Sequence, residues 1–208
     1  IAAMTKGSVK IINPLKSDDT RAMVQALRTL GITVDEEDDS FIVHGDISDI
    51  QNQDFVIDIG LSGRSARSLL ALLAVVPGTK TVTCAEPFKQ RPVGDLVGGL
   101  RQLGADIAYL EGEGHLPVKI TSSTLRPGTV KMNGSESSQY FSAMMMVAPL
   151  VGDMIIEVVG EQSSKPFIDM TISIMKTFGV AIANDNYRAY HVQGGQRYRD
   201  PQTYTVEP

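Results

Sequence analysis

ALRTLGITV, at residues 26–34, recurs as GLRQLGADI at 99–107 and as IMKTFGVAI at 174–182. Each copy places an apolar residue, a basic residue and a second apolar residue ahead of a glycine, and the three glycines stand 73 and 75 residues apart. Glycine just after the last turn of a helix tolerates the left-handed conformation that closes the helix. The pattern therefore predicts three related amphipathic helices, and with them a chain built from three repeats.

The segments around these helices repeat as well. Each helix leads into an alternating strand, a polar turn and a second strand, which predicts a hairpin. In repeats two and three a short apolar strand and then an apolar helix (62–78 and 137–152) come first, whereas repeat one opens on IAAMTKG (1–7). We therefore expect three βαβαββ repeats, at 1–50, 51–124 and 125–208, the first of them incomplete, with residues missing before Ile1.

The apolar helices of repeats two and three are hydrophobic nearly all round, as buried helices must be. Three repeats that share one pattern bury these helices best by packing about a pseudo-threefold axis. The predicted fold class is thus α/β, with the apolar helices inside and the strands of each repeat outside. The methionines at 144–146 are expected in the core.

Composition excludes several classes of partner. The chain of 208 residues carries a net charge of -5 and has no basic block, so nucleic acid is not an expected partner. No apolar run approaches the roughly 18 residues that span a bilayer, so no membrane partner is expected. The single cysteine, Cys84, suits a reducing compartment, so we expect a cytoplasmic protein with this cysteine buried. The histidines are too scattered for a metal site.

Helix entrances are the candidate sites, because free N–H groups and the positive dipole end attract anions there. In GLSGRSARSLL (60–70), Gly63 allows a ligand to approach the backbone, and Arg64 and Arg67 add positive charge. The alternative is a capped turn with solvated arginines.

EPFKQRPVGDLV (86–97) opens the following outer helix. Pro92 suits the first helical turn, which places Arg91 at its edge with a guanidinium fork that fits carboxylate or phosphate. The alternative is a surface arginine paired with Glu86 or Asp95.

GSESSQYF (134–141) opens the inner helix of repeat three. One serine is enough to cap a helix, so Ser137, Ser138 and Gln139 together exceed that need and suit a polyol or a phosphate. The alternative is a serine-rich loop.

EQSSKPFIDM (161–170) opens the last outer helix, where Ser164 followed by Pro166 predicts a capped start and Lys165 adds a cation. Taken together, the four entrances predict a site for an anionic, hydroxyl-bearing small molecule. No pair of side chains has the pattern of a general acid and base.

Three motifs then resemble the 5-enolpyruvylshikimate-3-phosphate synthase family: RPVGDLVGGLRQLGA (91–105), GSESSQYFSAMMMVAPL (134–150) and SSKPFIDMTISIMKTFGV (163–180). The resemblance runs from near Ile1 to near Pro208. It implies the inside-out α/β barrel of the enolpyruvyl transferases, with residues 1–208 as one of two globules. It also implies transfer of the enolpyruvyl group of phosphoenolpyruvate to shikimate 3-phosphate, with no metal or cofactor.

By position, the resemblance assigns Ser137, Ser138, Gln139 and Ser164 to shikimate 3-phosphate. It assigns Gly63 and Arg91 to phosphoenolpyruvate, and Arg67 matches a family arginine. The family's acid–base groups belong to the second globule, so no catalytic residue is expected in this chain.

The chain also departs from the family pattern. Leu61 and Arg64 replace the polar residues of the usual Asn-x-Gly-Thr turn, the segment before Arg91 is one residue short, and Phe167 replaces a tyrosine. Two alternatives therefore remain open. One is the related transferase acting on UDP-N-acetylglucosamine, whose family carries a reactive cysteine, and the other is a non-catalytic binding domain of the same fold.

Overall fold

The structure, a computed structural model, describes residues 1–121 and 124–207. Ser122 and Ser123, which the predicted division places at the end of repeat two, lie outside the described residues, as does Pro208. The α-helices are α1 (Asp18–Thr29), α2 (Gly63–Leu73), α3 (Gly94–Gln102), α4 (Ser138–Val151) and α5 (Lys165–Thr177). The strands are β1 (Ser8–Ile12), β2 (Thr33–Glu36), β3 (Ser40–His44), β4 (Phe55–Asp58), β5 (Lys80–Thr83), β6 (Ile107–Tyr109), β7 (Val118–Ile120), β8 (Gly128–Asn133), β9 (Met154–Val159), β10 (Ala183–Asn184), β11 (Ala189–Val192) and β12 (Thr203–Thr205).

The repeated glycines close the outer helices α1, α3 and α5, as the sequence pattern predicts. Gly31, Gly104 and Gly179 have φ values of 92°, 94° and 83°, in the left-handed region that a side chain disfavours. Each glycine thus turns the chain from a helix into the hairpin that follows, β2–β3, β6–β7 or β10–β11.

The strands form three four-stranded sheets of one design. Their strand orders are β12-β1-β3-β2, β4-β5-β7-β6 and β10-β11-β9-β8. In each sheet one parallel pair (β1 with β12, β4 with β5, β8 with β9) is extended by antiparallel strands that include the hairpin. Since the connections within repeats two and three are helical, their parallel strands follow the expected βαβ order.

The first sheet is completed by a strand that the sequence pattern did not predict. Thr203–Thr205 pairs in parallel with β1, with Tyr204 opposite Ile11, and so takes the position that β4 and β8 hold in the other sheets. Ahead of β1, a single turn of 3-10 helix at Ala2–Met4 is found where the other repeats have α2 and α4. The last strand of the chain therefore belongs to the sheet of the first repeat.

The two inner helices form the centre of the core. In α4 the side chains of Phe141, Met144 and Met145 are fully buried, and in α2 those of Leu69 and Leu70 are too. The sheets and the outer helices cover this helix pair, which confirms the predicted arrangement of helices inside and strands outside. Among the described residues, no helix is long and apolar enough to cross a membrane.

Candidate functional site

The inner helices run in the same direction, and the N-terminal ends of α2, α4 and α5 meet around one cavity of about 350 Å³. The lining is mostly polar and consists of Arg64, Ser68, Glu136, Ser137, Ser138, Gln139, Ser142, Ser163, Ser164, Phe167, Met170 and Thr171. We call it the serine cavity. It gathers all four residues that the sequence predicts for one ligand: Ser137, Ser138, Gln139 and Ser164.

Ser137 and Ser138, at the start of α4, have different hydrogen bonding. Ser137 is the N-cap, and its hydroxyl accepts a hydrogen bond from the backbone N–H of Gln139 at 3.3 Å. Ser138 is only 4% exposed, yet its hydroxyl makes no hydrogen bond within the described part of the chain. Arg67 Nε alone is a buried polar side-chain atom without a partner in the described residues, so the Ser138 hydroxyl keeps some access to solvent. Ser138 therefore has an unused donor at the wall of the serine cavity.

Ser164 does not cap α5, so that part of the sequence prediction is wrong. Its backbone is left-handed, with φ 51° and ψ 46°, and its side chain makes no capping hydrogen bond. The hydroxyl is thereby left at the cavity instead of being used inside the helix turn. Lys165, the next residue, does not line the cavity. Its ammonium lies 3.5 Å from Glu161 and 5.5 Å from the Tyr187 ring centroid.

A second group of cations lies beside the serine cavity. A methyl group built on Gly63 would stand 3.3 Å from Arg67 Nη1 and 3.5 Å from Arg91 Nη1, with the Phe88 ring also at 3.3 Å. A side chain at this point would crowd both guanidinium groups. We call Gly63, Arg67 and Arg91 the arginine pair site, because two guanidinium groups lie next to the buried backbone of Gly63 there.

Arg91 is free to bind a ligand. Among the described residues the structure shows no ion pair from Arg91 to Glu86 or Asp95, the two partners of the alternative interpretation, and Glu86 pairs instead with Lys89 at 3.1 Å. The expectation that Pro92 stands in the first turn of the helix is wrong, because α3 begins two residues later at Gly94. Arg91 instead ends a 3-10 helix at Glu86–Gln90 and lies over the Phe88 ring.

Gln139 joins the two sites. Its side-chain oxygen accepts a hydrogen bond of 2.6 Å from Arg67 Nη1, while the residue also lines the serine cavity. The guanidinium of Arg67 lies 5.5 Å from the centroid of the Tyr140 ring. Its Nε is buried without a hydrogen-bond partner in the described residues. The serine cavity and the arginine pair site are thus neighbours that share one amide.

The three residues that depart from the family pattern, Leu61, Arg64 and Phe167, differ in their position relative to the two sites. Leu61 is 63% exposed and contributes nothing to either site. Arg64 points into the serine cavity instead of the arginine pair site, and Phe167, 51% exposed, forms part of the cavity wall. The polar ligands lost from the turn are therefore not replaced beside Gly63, whereas the serine cavity gains a cation.

Cys84 has the environment of an unreactive thiol. It is half-buried rather than buried as expected, and burial raises its pKa, with Lys89 as the main opposing charge. A raised pKa keeps the thiol protonated at neutral pH, and the thiolate is the nucleophilic form. Within residues 1–121 and 124–207, no three His, Cys, Asp or Glu side chains are grouped as a metal site would require.

A larger cavity, of about 820 Å³, lies at the opposite, C-terminal end of α2 and α4. We call it the distal cavity. Its lining is largely apolar with exposed charges: Met4, Lys6, Asp46, Ile47, Ser48, Val75, Pro77, Thr124, Leu125, Pro149, Leu150, Val151, Arg197, Tyr198, Arg199 and Asp200. No residue predicted for ligand binding lies there.

Sequence reasoning missed one residue of the site, Tyr140. Its hydroxyl donates to the carbonyl of Pro92 at 2.8 Å, so it reaches the loop that carries Arg91. The sequence offered only an aromatic residue on an apolar helix, which is typical of a core position. The contact depends on the packing of two segments 48 residues apart.

Helices inside and three small mixed sheets outside are the architecture of the enolpyruvyl transferase fold class. An EPSP synthase from Acinetobacter baumannii has this fold, with a TM-score of 0.85 at 20% identity over 99% of this chain and 45% of that one. The enolpyruvyl transferase NikO from Streptomyces tendae matches with a TM-score of 0.70 at 18% identity, covering 100% of this chain and 48% of NikO.

Sequence comparison then identifies the family. The sequence profile of EPSP synthase (3-phosphoshikimate 1-carboxyvinyltransferase) matches residues 1–208, and the chain belongs to this family. It is 43% identical to the 3-phosphoshikimate 1-carboxyvinyltransferase of Sulfurovum sp. (strain NBC37-1) and 41% identical to that of Shewanella amazonensis. Both matches cover the whole of this chain, but the chain spans only about half, 49%, of the length of each relative.

Proposed function

We propose that the chain forms one globule of a 3-phosphoshikimate 1-carboxyvinyltransferase. The reaction moves the enolpyruvyl group of phosphoenolpyruvate to the 5-hydroxyl of shikimate 3-phosphate and releases phosphate. One observation carries the proposal: the serine cavity and the arginine pair site lie side by side and share Gln139. A reaction between two anions needs both of them held next to each other at fixed distance.

The serine cavity is the proposed site of shikimate 3-phosphate. Ser137, Ser138, Gln139 and Ser164 offer hydroxyls and an amide around the start of α4 and α5, where free N–H groups favour a phosphate. Arg64 adds a cation at the same wall. The unpartnered hydroxyl of Ser138 supports this assignment, because a phosphate oxygen would accept its hydrogen bond.

The arginine pair site is the proposed site of phosphoenolpyruvate. Arg67 and Arg91 flank Gly63, so an anion bound beside this glycine would contact two guanidinium groups. Such fixed donors also stabilise charge that develops during addition and elimination. Because the second substrate lies across Gln139, the reacting atoms would meet between the two sites.

The acid–base groups are proposed to lie on a second globule, since no suitable pair occurs at these sites and the relatives are twice as long. This globule of the same chain is the proposed partner, and it would close the cleft over both substrates. No metal or organic cofactor is proposed. The cytoplasm, expected from composition, stays a prediction.

Among the alternatives, the transferase acting on UDP-N-acetylglucosamine is less well supported. The curated relatives at 41–43% identity carry the 3-phosphoshikimate name. The raised pKa of Cys84 also disfavours a reactive cysteine. A non-catalytic binding domain is less well supported as well, because these relatives carry the name of an enzyme.

The test uses the complete protein, by which we mean the product of the whole open reading frame that contains residues 1–208. We expect phosphate release that requires both phosphoenolpyruvate and shikimate 3-phosphate, with none from residues 1–208 alone. Release that requires UDP-N-acetylglucosamine and is abolished by Cys84→Ala would support the related transferase. Absence of turnover together with absence of shikimate 3-phosphate binding in calorimetry would refute the proposal.

A further inference from the structure

We propose that Tyr140 is a positioning residue that holds Arg67 and Arg91 at the distance needed to bind phosphoenolpyruvate. The inference rests on the proposed function and deepens it. Tyr140 would touch neither substrate itself, since it is 2% exposed and does not line the serine cavity. It would act through the two arginines, one by means of its ring and the other by means of its hydroxyl.

The ring supports Arg67. The guanidinium carbon of Arg67 lies 5.5 Å from the centroid of the Tyr140 ring, within the range of a cation–π contact. The described residues give Arg67 one hydrogen bond, from Nη1 to Gln139, and leave its buried Nε without a partner. With so few hydrogen bonds, the position of this guanidinium depends strongly on the aromatic face beneath it.

The hydroxyl supports Arg91. Tyr140 donates to the carbonyl oxygen of Pro92 at 2.8 Å, and Pro92 follows Arg91 directly in the chain. Between the 3-10 helix at Glu86–Gln90 and α3, the Arg91 N–H donates to the Phe88 carbonyl at 2.9 Å and the Val93 N–H donates to the Gly114 carbonyl at 2.8 Å. Pro92 lies between them and has no N–H to donate. The hydrogen bond from Tyr140 to Pro92 therefore restricts the position of the neighbouring Arg91 backbone, from which the guanidinium side chain extends.

One side chain on α4 thus links two arginines from different elements. Arg67 belongs to α2, and Arg91 precedes α3, so no local geometry sets their separation. Burial raises the pKa of Tyr140, with Arg67 opposing the shift, so the hydroxyl stays protonated at neutral pH and remains a donor to Pro92. A phenylalanine would keep the ring beneath Arg67 and would lose the hydroxyl, which bonds to the Pro92 carbonyl and also interacts with the Arg67 guanidinium.

The experiment compares Tyr140→Phe with Tyr198→Phe in the complete protein. Tyr198 is the matched control, because it is also buried, and its hydroxyl also donates to a backbone carbonyl, that of Met146 at 2.7 Å, but at the distal cavity. Both variants therefore lose one buried hydrogen bond of the same kind. The readouts are KM for each substrate, kcat and the melting temperature.

For Tyr140→Phe we expect a KM for phosphoenolpyruvate that rises about tenfold, with KM for shikimate 3-phosphate changed less than twofold. Tyr198→Phe should lower the melting temperature comparably and leave both KM values unchanged. Equal changes in both KM values, or none in either, would overturn the inference while leaving the proposed function intact. Lack of turnover in the wild-type complete protein would instead refute the proposed function.

Discussion

The two ends of the inner helix pair differ in how their buried polar groups are satisfied. At the C-terminal end, Lys80 is fully buried and donates to the carbonyls of Val76 and Gly78 at 2.6 and 2.8 Å. Tyr198 donates to a carbonyl there as well. At the N-terminal end, the Ser138 hydroxyl lacks a partner, and so does the buried Nε of Arg67, among the described residues.

The larger of the two cavities is therefore not the one that has unused hydrogen-bond donors beside it. The distal cavity, at about 820 Å³, is more than twice as large as the serine cavity, at about 350 Å³. The exposed cations around the distal cavity lie beside helix C-termini, whose negative dipole ends they compensate. Unused donors beside helix N-termini therefore support the proposal that substrates bind at this end of the globule, whereas volume alone would favour the other end.

The largest effect should follow from removing a cation of the binding end. In the complete protein, Arg91→Ala should lower kcat/KM by about 10²- to 10³-fold, since one preorganised charged donor is lost. Steady-state kinetics would measure it. Arg197→Ala, which removes an exposed arginine of the distal cavity, is the control and should stay within twofold. A comparable loss in both variants would remove the distinction between the two ends.

Ser138→Ala should weaken binding without weakening the fold. Its hydroxyl has no partner to lose, so the free energy of unfolding should change by less than about 0.5 kcal/mol. The affinity for shikimate 3-phosphate should fall roughly 10- to 100-fold, as expected for a lost hydrogen bond to a charged group.

Ser40→Ala is the matched control for Ser138→Ala. Ser40 is fully buried and its hydroxyl donates to Glu37 at 2.6 Å. Its truncation should lower the free energy of unfolding by about 1 kcal/mol and leave affinity unchanged. Calorimetry and urea denaturation give both quantities. If Ser138→Ala behaved like Ser40→Ala, the hydroxyl would have a structural role instead.

Gly63→Ala should act on the arginine pair site alone. The added methyl group would stand 3.3 Å from Arg67 Nη1, so the flexible guanidinium must shift. We expect KM for phosphoenolpyruvate to rise roughly tenfold, or about 1.4 kcal/mol, with little change for shikimate 3-phosphate. Gly98→Ala, where a methyl group meets nothing within 4 Å, should change neither value. Equal effects of the two variants would contradict the close approach at Gly63.

Lys80→Met should change stability and its pH dependence, but not binding. Burial lowers the pKa of Lys80 to about 8, below the value of about 10.4 in an unfolded chain. Between these values the unfolded chain binds more protons, so the free energy of unfolding rises with pH, by roughly 3 kcal/mol across the whole interval. Well below pH 8, Lys80 is protonated in both the folded and the unfolded chain, so it no longer makes the free energy of unfolding depend on pH.

The measurement is urea denaturation of the wild type and Lys80→Met at pH 7, 8, 9 and 10. The difference between the two proteins should grow in favour of the wild type above pH 8. Identical pH dependence would show that Lys80 does not titrate in this range.

The sequence predicted the repeat architecture because each repeat ends its outer helix at a glycine, a signal local to the chain. Gly31, Gly104 and Gly179 all have the expected conformation. Strand β12 was not predicted because its partner, β1, lies almost the whole length of the chain away in sequence. Three residues of alternating Thr and Tyr carry no indication of such a distant partner.

The candidate site was also predicted only where its signal is local to one stretch of the sequence. An excess of hydroxyls at one helix start is visible in the sequence, so Ser137 and Ser138 could be singled out. Whether Ser164 caps its helix depends on a left-handed backbone imposed by packing, and the expected cap was wrong. The links made by Gln139 and Tyr140 join separate elements and become visible only in three dimensions.

The central claim is that the N-terminal end of the inner helices binds the phosphorylated substrate. Diffraction from crystals of the complete protein soaked with shikimate 3-phosphate tests it most directly. We predict electron density for the phosphate group within hydrogen-bond distance of Ser138 and Ser164. Density only in the distal cavity, beside Arg197 or Arg199, would contradict the account.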